Sequence, residues 1–258
     1  MARKINLNAD MAEGYGAYDI GNDDGMLSVV QSANVACGFH AGDPNVMARV
    51  LRGAAEKGVS IGAHPGFNDL WGFGRRQIQM PLHEIENIMA YQIGALQGMA
   101  SAAGTSVTHV KPHGALNNMA SVDANLADAI ARSVRAVDPS LILVAIAGTE
   151  LDRAGHALGL PVASEVYADR TYADDGNLSS RKLPNAMIND PAQSVAQVMQ
   201  MVKDGVVTTL GGKQMPVNAH TICVHGDEPT GVDVARAVTA ALAEAGLEVV
   251  PLPDVPLG

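Results

Sequence analysis

Apolar and polar positions along the chain follow two alternating rhythms. Short runs at residues 5–10, 32–37, 59–64, 106–111, 141–146, 161–167 and 221–224 have the length and composition of buried strands. Between them, apolar residues recur at helical spacing. Val46, Met47, Val50, Leu51 and Ala54 fall on one helical face, with Asp43 as N-cap, Pro44 at the first helical position and Gly58 as the stop. Leu82, Ile85, Ile88, Met89, Leu96 and Met99 stripe a helix that opens at Pro81 and ends at Gly104. Further helices are predicted from Ser121 through Val134, up to about Leu158, from Asp190-Pro191 onward, and from Pro229 through Ala245. Residues 206–217 have the pattern of a hairpin turning at Gly211-Gly212, and 247–250 that of a short last strand. Two long polar loops, 65–80 and 168–189, interrupt the alternation; loops of that length are usually kept for function.

Strands that alternate with helices, without a break in composition, predict one α/β domain over residues 1–258 with a parallel sheet. A distorted (β/α) barrel of seven or eight strands fits this order best. No Gly-x-Gly-x-x-Gly follows the first strand, and no Gly-x-x-x-x-Gly-Lys-Ser/Thr occurs; Gly211-Gly212-Lys213 is expected to be a hairpin turn.

Composition narrows the function. The 258 residues are 47% hydrophobic and 17% charged, which fits a globular chain, and the formal net charge of −10 disfavours nucleic acid and anionic membranes as partners. No apolar run approaches the ~20 residues that span a bilayer, and no secretory leader is evident, so a cytoplasmic location is expected. With aromatics at only 3%, the core must be built from Ala, Val, Leu, Ile and Met. Cys37 and Cys223 are too few for a disulfide framework and are expected to be reduced thiols.

Charge is nearly absent from the strand bodies and gathers where they end. In a parallel barrel that is the ligand-binding face. Strand one leads to Asp10 and Glu13, strand two to Cys37 and His40, and strand three to His64. Strand four carries Lys111 and His113. Strand six holds Glu165 and leads to Asp169 and Arg170, and strand seven leads to His225 and Asp227. Each has a bland alternative: a turn cap, a solvated loop charge or a satisfied core histidine. Only jointly do they point to polar chemistry. Carboxylates near imidazoles can act as general acid and base, and Lys111 or Arg170 could hold a substrate carboxylate or a developing oxyanion. Asp10, Glu13, His64, Lys111, His113, Arg170 and His225 are the catalytic candidates. His40, Glu165, Asp169 and Asp227 are the substrate-binding candidates. A divalent metal held by an aspartate and two histidines would also suit such a cluster, but it is the weaker expectation and no residue is assigned as its ligand.

Six stretches together carry a resemblance: N-L-N-A-D-M-A-E-G-Y-G, S-A-N-V-A-C-G-F-H-A-G-D-P, I-G-A-H-P-G-F-N-D, V-K-P-H-G-A-L-N, A-S-E-V-Y-A-D-R-T-Y and C-V-H-G-D. In this order, over almost the whole chain, they resemble the LamB/YcsF family, known as the A subunits of 5-oxoprolinase. The resemblance implies a distorted barrel of the glycoside hydrolase/deacetylase kind. It also implies ATP-dependent opening of 5-oxo-L-proline to L-glutamate together with subunits B and C, which are thought to activate the lactam by phosphorylation. ATP would be used by the complex, because this chain has no phosphate-binding loop. The rival expectations are a stand-alone metal-dependent hydrolase of an amide or N-acetyl group, and a non-catalytic, substrate-binding subunit.

Overall fold

A computed structural model describes residues 3–226 and 230–257. The chain runs β1 (Lys4–Met11), α1 (Asp23–Leu27), β2 (Ser32–Ala36), α2 (Pro44–Lys57), β3 (Ser60–His64), α3 (Leu82–Ala102), β4 (Val107–Val110), α4 (Gly114–Ala120), α5 (Ala124–Val137), β5 (Ile142–Ile146), α6 (Glu150–Ala157), β6 (Val162–Tyr167), α7 (Pro191–Met199), β7 (Val206–Thr208), β8 (Gln214–Pro216), β9 (Thr221–Cys223), α8 (Gly231–Glu244) and β10 (Glu248–Val249). Strands β1 to β6 pair in sequence order, β6 pairs with β9, and β9 returns to β1. All these pairings are parallel, so seven strands close a barrel. No described helix is long and apolar enough to cross a membrane.

Seven or eight strands were expected, and the pairing shows how both counts arise. β10 lies beside β1 only at Lys4 and Ile5, whereas β9 takes the same edge of β1 from Asn6 to Asn8. The short last strand thus extends the lower end of β9's place rather than widening the ring. The predicted hairpin is the antiparallel β7–β8 pair, outside the barrel.

Helices pack their apolar faces on the outer side of the ring. α2 starts where expected, with Asp43 accepting from the backbone N–H groups of Asn45 and Val46 at 2.7 and 3.1 Å, and Gly58 closes it in the left-handed conformation. α3 buries Ile85, Met89, Ile93 and Leu96. The cap expected at Ser121 belongs instead to Asp123, which accepts from Asn125 and Leu126. Ser121 finishes the unpredicted α4, its hydroxyl donating to the Asn117 carbonyl at 2.9 Å. At seven residues, α4 is too short for a periodic signal. Pro229, the predicted opening of the last helix, lies outside the described residues.

The inside of the ring is polar. Asn6, Asn8, Asn34, His109, Glu165 and Thr221 are all buried, on strands that are buried on both faces. The register shifts at Ile61/Gly62, where β3 meets β4, and the His109 ring occupies the space a Gly62 side chain would need.

Two glycines therefore predict opposite outcomes. Gly62→Ala drives a methyl into the His109 ring and is expected to cost about 1–3 kcal/mol. Gly98→Ala, on the exposed face of α3 with open space around it, is expected to gain about 0.5–1 kcal/mol. Urea unfolding of both variants checks the pair; equal midpoints would contradict the packing described.

Candidate active site

The C-terminal ends of the strands surround a cavity of about 410 Å³. Asp10, Glu13, His64, Lys111, His113, Arg170 and His225 line it, so every catalytic candidate read from the sequence reaches one pocket. Three of the substrate-binding candidates, His40, Glu165 and Asp169, are buried directly behind that wall. The fourth, Asp227, lies outside the described residues.

Lys111 is the hub of one half. Its Nζ lies 2.9 Å from Asp10 Oδ1, 3.0 Å from Glu165 Oε1 and 3.1 Å from Cys223 Sγ. Asn34 Nδ2 donates to Asp10 Oδ1 at 2.9 Å, and Asn8 Nδ2 donates to Glu165 Oε1 at 3.0 Å. Burial alone would depress the lysine, but Asp10, Cys223 and Glu165 beside it hold its pKa well above the usual range. Burial would likewise raise Asp10; His64 and Lys111 outweigh it and keep this carboxyl well below the usual range. Lys111 is thus a fixed countercharge, and Asp10 an ionised acceptor and a weak base.

A second pair stands at the end of β9. Asp169 Oδ2 accepts from the backbone N–H of His225 at 2.8 Å, and Oδ1 accepts from its Nδ1 at 2.8 Å. Burial pushes Asp169 up, but His225, those hydrogen bonds and Arg170 hold it below the ordinary value. Nδ1 is committed to the carboxylate, so Nε2 is left to exchange protons. An orienting carboxylate behind an imidazole is the arrangement that general acid–base chemistry uses. Donor atoms of Asp10, Cys223 and His225 lie within 4.8 Å of one another.

The third group is the histidines. His64 Nδ1 donates to the Lys111 carbonyl at 2.6 Å, and His113 Nε2 donates to the Phe73 carbonyl at 2.8 Å. Their other nitrogens face each other at 3.0 Å. His40 stacks on His113, with ring centroids 3.6 Å apart. Glu13 Oε1 is 3.7 Å from both His40 Nε2 and His113 Nδ1. Glu13 points back into the site because Ala12 takes a positive φ of 58°, its N–H bonded to Asp23 Oδ1 at 3.1 Å. Burial is the main cause that pushes both His40 and His113 well below the usual histidine range. This buried His/Glu group has the donor set to hold a metal ion.

The long loops form the rim. Asn177–Lys182 line the pocket, and the Arg170 Nη2 donates to the Ser179 carbonyl at 2.6 Å. Arg75 comes from the 65–80 loop, while Trp71 of that loop is 98% exposed. Cys37 is no nucleophile: burial pushes its thiol up to about 12, and its Sγ points at the Val35 carbonyl.

Sequence reasoning missed Asn8, Asn34, His109, Thr221 and Cys223. The β1 pattern I-N-L-N-A-D, with polar residues at every second position, was the available signal for an inward polar face. His109 and His113 also stand at His-x-x-x-His spacing, but on a strand and the loop after it. His109 instead bonds Asn34 Oδ1 at 3.0 Å, deeper in the ring.

The family model described as LamB/YcsF matches residues 5–256. The chain belongs to the LamB/YcsF family. A member from Rhodopseudomonas palustris (strain BisB5), named as the A subunit of 5-oxoprolinase, is 53% identical over 249 residues, 96% of this chain and 98% of that one. The solved structure of a lactam utilization protein from Thermus thermophilus is 43% identical, with a TM-score of 0.89 over 96% of this chain and 99% of that one. A family 4 carbohydrate esterase from Streptomyces lividans, 13% identical with a TM-score of 0.50 over 100% and 97%, shares the fold alone. The single closed barrel is thus the distorted (β/α) barrel expected from the sequence.

The Lys111 hub yields a stability prediction. Lys111→Met leaves Asp10 and Glu165 without their shared cation and is expected to cost about 3–5 kcal/mol at neutral pH. Adding Glu165→Gln should recover part of that loss. Chemical denaturation of the two variants is the check, and an unchanged midpoint for Lys111→Met would remove Lys111 from the hub.

Proposed function

We propose that the chain completes the opening of 5-oxo-L-proline to L-glutamate, as the A subunit of a 5-oxoprolinase that acts with subunits B and C and consumes ATP. The observation that carries this reading is the Asp169–His225 pair set close to Asp10 at one pocket wall. The names carried by relatives at about half identity over nearly full length support it, as does the lactam utilization protein of the same fold.

An unstrained five-membered lactam is a poor electrophile, so coupling to ATP is chemically reasonable. With no phosphate-binding loop in this sequence, nucleotide handling is assigned to the partner subunits. The pocket suits the activated product of that step. In a chain of net charge −10, its lining gathers Arg75, Arg170, Arg181 and Lys182, a cationic rim for a carboxylate and a phosphoryl group.

The roles follow from the geometry. Arg170, whose buried Nε has no hydrogen-bond partner among the described residues, binds the substrate carboxylate. Lys111 is already committed to Asp10 and Glu165, so it sets the field of the site rather than gripping substrate. Ionised Asp10 accepts a hydrogen bond from the attacking water and aims it. His225 Nε2 takes that water's proton as oxygen bonds to the lactam carbonyl carbon. The ring C–N bond then breaks as the same imidazolium returns the proton to the departing nitrogen, which leaves the phosphoryl group on the new side-chain carboxyl as an acyl phosphate; a second water hydrolyses it to L-glutamate and inorganic phosphate. One imidazole can serve both transfers because Asp169 fixes its tautomer and orientation.

Reconstitution with the B and C subunits, ATP and 5-oxo-L-proline tests this reading, with glutamate as the readout. His225→Gln and Asp10→Asn are each expected to lower turnover by about 10²–10⁴-fold while the complex still assembles. Arg170→Met should act chiefly through a raised KM. Full turnover in the first two variants would refute the assigned roles, and ring opening by the chain alone would favour a stand-alone amide hydrolase.

A further inference from the structure

Glu13, His40, His64 and His113 have no part in those proton transfers, yet they are buried together beside Asp10. Hydrogen bonding fixes how two of the rings are aimed. A carbonyl oxygen only accepts, so His64 carries its proton on Nδ1 and His113 on Nε2. Their remaining nitrogens, His64 Nε2 and His113 Nδ1, stand 3.0 Å apart. In two neutral imidazoles both are lone pairs, and lone pairs at that distance repel unless something positive lies between them.

A proton on His64 Nε2 would relieve that contact and would also face Asp10 Oδ2 at 3.3 Å, but it leaves His40 without a partner. His40 is 1% exposed, and neither of its ring nitrogens has a hydrogen-bond partner among the described residues. Glu13 Oε1 stands 3.7 Å from two imidazole nitrogens, His40 Nε2 and His113 Nδ1. Donors about 2.0–2.1 Å from one tetrahedral ion lie about 3.4 Å from each other. The four donor atoms here fall within 4.8 Å of one another, with three of their spacings at 3.0–3.7 Å.

We propose that Glu13 Oε1, His64 Nε2, His113 Nδ1 and His40 Nε2 form a binding site for one divalent transition-metal ion of the zinc type. Three imidazoles and one carboxylate are the donor set such ions prefer. The carbonyls of Lys111 and Phe73 are the outer partners that usually orient a ligating histidine. His40 lies parallel to His113, within 4°. Untied by hydrogen bonds, it is the ligand that turns to complete the set. Loop 65–80 shapes the cradle with two glycines: a Cβ at Gly66 would lie 2.7 Å from His40 Nδ1, and one at Gly74 2.8 Å from His113 Cδ2. Charge agrees. Around the pocket floor the carboxylates Asp10, Glu13, Glu165 and Asp169 outnumber the buried cations Lys111 and Arg170 by two, which a divalent ion restores.

The test needs neither substrate nor partner subunits, so its failure is separable from failure of the ring-opening reading. The full chain is stripped with chelator and titrated with zinc and with cobalt(II) against a competing chelator. The expected result is one ion per chain, a visible cobalt d–d band of tetrahedral intensity and a raised melting temperature. Glu13→Gln, which preserves shape, should weaken zinc by about tenfold or more, and His64→Ala with His113→Ala should abolish binding. His83→Ala, at an exposed histidine outside the cluster, should change nothing. Stoichiometry that survives the cluster variants, or loss with His83→Ala, would overturn the site. So would a stripped wild-type chain that takes up no ion, its histidine ¹⁵N shifts then marking a shared proton.

Discussion

A single ammonium sets the terms for the rest of the barrel. Lys111 is sunk where most (β/α) barrels stack aliphatic side chains, and its charge could not remain there without the two carboxylates that meet it. Those carboxylates in turn require their spare lone pairs to be used. Asn8 and Asn34 do this from β1 and β2. Asn34 also donates to Asn8 Oδ1 at 2.7 Å, and its own oxygen meets His109 Nε2. Below them, Asn6 and Thr221 close the network at 2.7 Å. The interior of the ring is thus one connected set of hydrogen bonds from its base to its mouth. A buried ion pair adds little net stability against an apolar core of equal volume. What this one supplies is position, because Asp10 is held at the strand lip from two sides.

That network explains which parts of the molecule were legible in the sequence. The ring and its helices were, because parallel strands buried on both faces make apolar runs and α2 carries its cap, its proline and its stop in plain view. The charged lip was legible because charge is scarce in the strand bodies. The neutral members were not: an asparagine or threonine inside a strand carries no charge to mark it, and only the alternation in β1 betrays the inward face. Glu13 was ambiguous for a different reason. It stands three residues beyond Asp10, and its return to the pocket depends on a left-handed Ala12, a conformation that no propensity assigns to alanine. Ser121 misled because it ends one short helix two residues before Asp123 begins the next.

Relatives of the same fold at low identity cannot settle chemistry, since one barrel hosts many reactions. The distinction lies in what this chain places at the lip. One wall has an imidazole oriented by a carboxylate, and the floor beside Asp10 has three imidazoles and a carboxylate packed together, with neither ring nitrogen of His40 hydrogen-bonded among the described residues. The first arrangement is the one to which the proposed mechanism assigns the proton transfers. The second has two of its rings anchored by N–H groups that donate to backbone carbonyls, which leaves their other nitrogens facing each other.

Asp10 joins the two. Its Oδ1 belongs to Lys111 and Asn34, whereas Oδ2 lies 3.3 Å from His64 Nε2, a donor atom of the histidine group. The carboxylate therefore feels whatever charge that group holds, at a distance where burial leaves little screening. A positive charge among the histidines would make Asp10 a still weaker base and a more rigid one. That suits the role proposed for Asp10, which is to aim water, with proton abstraction assigned to His225. A negative excess with no ion present would push the other way and raise the affinity of Asp10 for a proton. In the proposed mechanism, the division of labour at the mouth of the barrel is thus set by the charge state of side chains that need not touch the substrate.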